Sequence, residues 1–191
     1  MKIGVLALQG AVAEHMRMIE MLGEEVVAVK RVEQLEEIDG IIIPGGESTA
    51  IGKLMGKYGF ASSLMDFSNQ KKPVFGTCAG LIILAKEIHG ETDTHLGLMD
   101  VKVERNAFGR QRDSFETELQ IKGVADDFQA VFIRAPYIME VKNDTEILSV
   151  YEGKVVAVRQ GHLLGAAFHP ELTLDPRFHK YFVDMVKEYR R

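Results

Sequence analysis

Residues 73–88, PVFGTCAGLIILAKEI, decide the fold. Pro73–Gly76 reads as a short strand, apolar enough to be buried on both faces. Ala79–Ile88 reads as a helix. Between them Gly76-Thr77-Cys78-Ala79-Gly80 forms a strand–nucleophile–helix elbow, because small residues on both sides permit a sharp turn that exposes the cysteine. The partial positive charge of a helix N-terminus favours thiolate over thiol. Its backbone N–H groups also suit an oxyanion. A lone cysteine is more often a buried structural residue. Its place between glycines at a strand–helix junction favours catalysis.

Working outward, the first half alternates apolar runs with helical patterns. Ile3–Leu8 is a strand, stopped by Gln9-Gly10. Glu14–Leu22 carries Met16, Ile19 and Leu22 in helical phase, with Gly23 as C-cap. Val26–Val29 and Ile41–Ile43 are further strands, and Pro44-Gly45-Gly46 ends the second. Residues 49–70 read as helical, with a break at Gly56–Gly59. From residue 101 strands dominate: Val101–Arg105, Glu116–Ile121, Val131–Arg134, a hairpin of Glu146–Tyr151 and Val155–Arg159, and Leu163–Phe168. In the last helix Asp175 is the N-cap and Pro176 the first helical position. Phe178, Tyr181, Phe182, Met185, Val186 and Tyr189 share its apolar face. The pattern predicts a single-domain (1–191) three-layer α/β/α sandwich, its sheet mostly parallel with antiparallel strands added in the C-terminal half.

Composition agrees with one globular domain. The 191 residues are 46% hydrophobic and 27% charged. A formal charge of −5 argues against nucleic acid as a partner. One cysteine excludes an internal disulfide framework and a multi-thiolate zinc site. No apolar run reaches the ~18 residues of a membrane span, and the N-terminus lacks a signal-peptide pattern, so a soluble cytoplasmic protein is expected.

In open α/β sheets ligands bind beyond the carboxyl ends of the strands. His169 sits at such an end, after Leu163–Phe168. Glu171 is two residues on, and i and i+2 face the same way in extended chain. With Cys78 this gives a Cys–His–Glu triad: nucleophile, base and orienting carboxylate. His15 and His179 on helices, His89 and His95 in a polar loop and His162 in a turn are rivals for the base. None combines a strand end with a nearby carboxylate. The loop from His89 to His95 reads as solvated, and no metal is expected. Pro44-Gly45-Gly46-Glu47-Ser48 enters a helix and offers an anion nest, with Ser48 or Thr49 as cap. It departs from a nucleotide-binding phosphate loop, since Gly46 is one residue too far from Gly52 and Leu54 replaces the magnesium-binding hydroxyl. Arg105, Arg110 and Arg112 form a basic cluster. Arg134 ends a strand, where a guanidinium suits a carboxylate.

These features resemble the triad-type glutamine amidotransferases. Six segments, GVLALQGAVAEH (4–15), PGGEST (44–49), FGTCAGLIILA (75–85), ERNAFGRQR (104–112), FIRAP (132–136) and FHPELT (168–173), are similar to the glutaminase-subunit family of pyridoxal 5′-phosphate synthases. Many amidotransferases carry Gln two residues past the elbow's second glycine. Here that residue is Ile82, which agrees with the pyridoxal family. The resemblance implies L-glutamine as substrate, attacked by Cys78. It implies glutamine contacts at Gly46, Glu47, Ser48, Arg105, Ile133 (through its backbone) and Arg134. The oxyanion hole is expected at the Gly46 and Ala79 N–H groups. It further implies a partner, a barrel-shaped synthase subunit, in a large hetero-oligomer. Gln9, at the end of the first strand, is expected as the contact and switch. No cofactor is expected on this chain, pyridoxal phosphate being the product of the complex. The alternatives are a glutaminase serving another synthase, such as one making imidazole glycerol phosphate, a peptidase or deglycase using the same elbow, and a non-catalytic regulatory module.

Overall fold

A computed structural model describes residues 1–109 and 113–191. In chain order it contains β1 (Lys2–Leu6), α1 (Val12–Met21), β2 (Glu25–Val29), β3 (Gly40–Ile43), α2 (Ser48–Lys57), α3 (Phe60–Asn69), β4 (Val74–Thr77), α4 (Ala79–Leu84) and β5 (Ala85–Ile88). Then follow β6 (Met99–Glu104), β7 (Ser114–Ile121), β8 (Ala125–Ile133), β9 (Tyr137–Val141), β10 (Glu146–Tyr151), β11 (Lys154–Gln160), β12 (Leu163–Ala166) and α5 (Arg177–Tyr189). Short 3-10 turns cover Val32–Glu37 and Pro170–Leu172.

Strands β2-β1-β3-β4-β12 lie side by side, all parallel. Every residue of β3, β4 and β12 is buried, which is why they read as continuous apolar runs rather than alternating ones. The sheet continues through β11, β9, β6 and β5, with antiparallel pairing except between β5 and β6; β10 pairs with β11. A separate hairpin joins β7 to β8. Strand β1 pairs with β2 on one side and β3 on the other, so the winding reverses there. The crevice beyond the strand ends at such a reversal is the usual ligand position in open sheets.

Alternation along β4 fixes the layers. The Phe75 ring meets Phe178 (5.2 Å between centroids) and Phe182 (5.5 Å) of α5. The next residue, Gly76, faces Gly80 and Leu84 of α4. Successive strand residues point to opposite faces, so α5 and α4 cover opposite sides of the sheet. Helix α1 touches α5, and α2 touches α3 and α4. The α/β class with layered helices and a parallel sheet extended by antiparallel strands is therefore as expected.

Several elements differ from the reading of the sequence. Residues 85–88 are not the end of a helix but strand β5, parallel to β6. Ala85 and Ile88 are buried, while Lys86 and Glu87 are exposed and form ion pairs with Asp100 and Lys142. Tertiary pairing overrides a helical pattern that α4 uses for only six residues. Strand β8 begins at Ala125 rather than Val131, β9 was not foreseen, and β12 ends at Ala166 rather than Phe168. In α5 Pro176 is the capping position itself, and Asp175 Oδ1 accepts the Arg177 N–H at 3.0 Å. Phe178, Phe182, Met185 and Val186 are buried there, Tyr181 is half-buried and Tyr189 is exposed. No helix among the described residues is long and apolar enough to cross a membrane.

Candidate active site

The elbow is strained. Cys78 has φ 50° and ψ −106°, outside the ordinary regions for a side chain of L configuration. Neighbouring backbone holds it there. Its N–H donates to Ala166 O (2.8 Å), and its carbonyl accepts from Leu81 N (3.1 Å) and Ile82 N (3.3 Å). The flanking glycines are sterically required. A Cβ at Gly76 would stand 2.6 Å from the Gly80 carbonyl carbon, and one at Gly80 would overlap the carbonyl oxygen of Ile43. The spacing Gly-x-Cys-x-Gly is therefore the condition for α4 to start directly behind the thiol.

His169 leaves the end of β12, and its N–H donates to Val131 O of β8 at 2.8 Å. Its Nδ1 lies 2.6 Å from Glu171 Oε1. Extended chain is not what makes this contact. Glu171 instead lies in the 3-10 turn Pro170–Leu172, which brings the carboxylate back beneath the ring. Burial works against a charge on His169, but hydrogen bonding and attraction to Cys78 and Glu171 outweigh it and raise its pKa to about 10. The direction favours an imidazolium beside Cys78. The thiol also lies 3.9 Å from the backbone carbonyl of Ile133.

A cavity of about 420 Å³ opens beside the thiol. Gly46, Glu47, Ser48, Ala79, Arg105, Ile133 and Arg134 line it together with Cys78 and His169. The residues expected to contact glutamine thus come together. Ile82 and Asn106 line it as well and carried no such expectation. Arg110 and Arg112 lie outside the described residues.

The glycine-rich turn is built by side chains rather than by its own backbone. Glu47, not Ser48 or Thr49, caps α2, its carboxylate accepting the N–H groups of Thr49 (2.9 Å) and Ala50 (2.7 Å). The bond from Thr49 lowers the Glu47 pKa against a weaker effect of burial. Gln9 Oε1 accepts the Glu47 N–H at 2.8 Å, and Ala11 N–H donates to Gly45 O at 3.3 Å. Gly10 (φ +97°) lies against that carbonyl, where a Cβ would overlap the oxygen. The segment Gln9–Ala11 is therefore clasped to Gly45–Glu47. At the far wall Arg105 Nε stands 2.8 Å from Glu91 Oε1, and its Nη1 donates to Thr49 Oγ1 at 3.4 Å. Arg134 takes a positive φ of 45° and donates its N–H to Asp113 O.

Of the other histidines, His162 pairs with Ser68 Oγ at 2.8 Å and His95 packs against Gly52. His15 and His179 are buried behind Glu171, a proximity that local sequence could not signal. Among the described residues no three of His, Cys, Asp and Glu converge to hold a metal ion.

A cysteine on a strand–helix elbow, a His–Glu pair at the adjacent strand end and a cavity carrying two arginines beside them fit the amidotransferase class. The chain belongs to the SNO glutamine amidotransferase family, whose pattern matches residues 5–188. It is 64% identical over 190 residues to the "pyridoxal 5′-phosphate synthase subunit PdxT" of Brevibacillus brevis, covering all of both chains. A relative of the same description from a Geobacillus strain is 65% identical over 188 residues, 98% of each chain. A crystal structure of a glutamine amidotransferase superposes with a TM-score of 0.93 at 45% identity, covering 97% of this chain and 98% of that one. The structure of PurLQS from Thermotoga maritima shares the fold, with a TM-score of 0.71 at 17% identity over all of this chain and 99% of that one.

Proposed function

We propose that the chain hydrolyses L-glutamine to L-glutamate and ammonia, and that it supplies the ammonia to a synthase subunit making pyridoxal 5′-phosphate. The observation that carries the reaction is the meeting of Cys78, His169 and Glu171 at one end of a cavity lined by arginines and a glycine-rich turn. The relatives' shared description as a synthase subunit supports the pathway.

Cys78 attacks the side-chain amide carbon of glutamine. His169, oriented by Glu171, holds the thiol proton and delivers it to the departing ammonia. A γ-glutamyl thioester remains. Water, deprotonated by His169, then releases glutamate and restores the thiol. The developing oxyanion is met by the N–H groups of Gly46 and Ala79. Arg105 and Arg134 bind the α-carboxylate end of the substrate. Glu47 acts indirectly, since its side chain is committed to the cap of α2.

The partner is a barrel-shaped synthase subunit within a large hetero-oligomer, and the 191 residues act as one amidotransferase domain in the cytoplasm. Gln9 is its contact and switch. Because Gln9 holds the Glu47 N–H, a partner that engages it changes the Gly45–Glu47 turn, and with it the oxyanion hole.

The test is glutamate release from L-glutamine by the purified chain, with and without the synthase subunit. Stimulation by that subunit supports reaction and pathway together. Steady activity without stimulation keeps the glutaminase and removes the partner. No activity with a reduced thiol removes Cys78 as an amide nucleophile. Stimulated turnover unchanged in Gln9→Ala removes Gln9 as the switch.

A further inference from the structure

Behind the triad lies a second set of polar side chains that the mechanism above does not use. His15 of α1, Thr77 of β4 and His179 of α5 are fully buried, and none lines the cavity. His15 Nδ1 and His179 Nε2 are 2.8 Å apart. His15 Nε2 lies 3.1 Å from Thr77 Oγ1 and 3.5 Å from Glu171 Oε2. His169 holds the other Glu171 oxygen, whereas Oε2 is buried and makes no hydrogen bond.

We propose that His15 is a positioning residue: a neutral imidazole whose Nε2–H faces Glu171 Oε2 and keeps that carboxylate, and through it His169, ionised and aligned for Cys78. The inference rests on the reading of Cys78, His169 and Glu171 as a triad.

The tautomer follows from proton counting. A bond between two neutral imidazoles needs one donor and one acceptor. If His15 Nδ1 donated to His179, the bare Nε2 could accept the Thr77 hydroxyl, but its lone pair would also face the Glu171 carboxylate across buried space. His179 would then carry its proton on Nδ1, which is buried with no partner. If His179 Nε2–H donates to His15 Nδ1, the His15 Nε2–H points at Thr77 Oγ1 and Glu171 Oε2. What remains unpaired is then a ring acceptor, a smaller penalty than an orphaned N–H facing no partner.

The surroundings keep both rings neutral. Groups face His15 from every side: His179 from α5, Glu171 and His169 from the segment after β12, and Thr77 with the Phe75 ring from β4. Burial first, then His179 and His169, hold the pKa of His15 well below the usual histidine range. Burial lowers His179 to about 3. A neutral donor serves here where a cation would compete with His169 for the single carboxylate. Without that N–H, one oxygen of a buried carboxylate would face no donor. Its charged form would become less favourable, and His169 would hold its proton less firmly.

The experiment compares His15→Met, which fills the site without a donor, with His15→Gln, whose amide N–H stands near the position of Nε2. On the free chain, the rate of Cys78 alkylation by iodoacetamide is followed against pH. On the chain with its synthase subunit, kcat and KM for glutamine are measured separately. In His15→Met the alkylation midpoint is expected to rise by about one pH unit, with labelling at pH values well below the midpoint slowed roughly tenfold. Its kcat is expected to fall about tenfold or more with KM nearly unchanged, and His15→Gln to recover most of both. An unmoved alkylation midpoint in His15→Met, or equal losses in the two variants, overturns the proposal. Should the Met variant fail to fold, ring ¹⁵N shifts of the unmodified chain decide: a proton on Nε2 of His15 supports the proposal and one on Nδ1 overturns it. A shifted alkylation profile in a chain that never turns over glutamine would sink the glutaminase reading while leaving His15 in its place.

Discussion

The imidazole of His169 lies directly over Gly45: a Cβ at position 45 would stand 2.6 Å from Cε1 and 3.1 Å from Nδ1. The same Cβ would stand 3.3 Å from Cys78 Cβ. Gly45→Ala should therefore push His169 away from Cys78. A displacement of about 1 Å at a reacting pair costs on the order of 100-fold in rate. Steady-state glutaminase kinetics should show the loss in kcat, with the far-UV spectrum of the folded chain unchanged. Retention of full activity would mean that the ring has another place to sit.

Two other glycines separate space from backbone. Gly56 lies within α2 with nothing near its missing side chain, so Gly56→Ala should stabilise the chain by about 0.5–1 kcal/mol. Gly80→Ala should do the opposite, because the Ile43 carbonyl occupies the position its Cβ needs. Urea unfolding of both variants checks the pair. Equal responses would contradict the packing of α4 on β3.

The anchor of the C-terminal helix is aromatic. Phe178 is fully buried and meets Phe75, Phe128 and Phe168 at centroid distances of 5.2, 6.1 and 5.6 Å. Phe178→Ala should cost about 3–5 kcal/mol, the loss of transfer energy plus an unfilled cavity. Chemical denaturation measures it. A cost below about 1 kcal/mol would mean that the helix collapses onto the sheet without that ring.

Stability should fall toward acid well before the carboxylates titrate. His15 and His179 stay neutral in the fold, while the unfolded chain binds protons at both near pH 6.5. A lowered pKa contributes stability above the unfolded value and loses it as pH falls. The two sites together should remove about 2 kcal/mol between pH 6.5 and 5.5. His169 acts with the opposite sign. Its pKa is raised to about 10, so its contribution is complete below pH 6.5 and is lost as pH rises toward 10. Urea unfolding at intervals from pH 5.5 to 9.5 should trace a dome. A flat profile on the acid side would show that the buried pair takes up protons within the fold.

The parts legible in the sequence are those specified locally. Strands β3, β4 and β12 are buried on both faces and so appear as apolar runs; α5 repeats its apolar residues at helical spacing. Cys78, His169 and the Gly45–Ser48 turn announce themselves because each follows a strand end. Strand β5 was hidden because its conformation comes from pairing with β6, not from its own pattern. The cap at Glu47 was missed because a long carboxylate reached past the usual short capping residues. His15 could not be recognised because its partner His179 is 164 residues away, and only packing of α1 on α5 brings them together.

Strand β12 is the last strand of the chain, yet it fills the slot between β4 and β11 near the middle of the sheet. Until residues 163–166 arrive, the sheet exists only as two pieces, and β4 presents one open apolar edge. The same late insertion carries His169 to Cys78. During synthesis Cys78 and the open edge of β4 therefore emerge well before His169. The two halves of the sheet are therefore joined by long-range pairing alone, the kind of contact that forms slowly in folding.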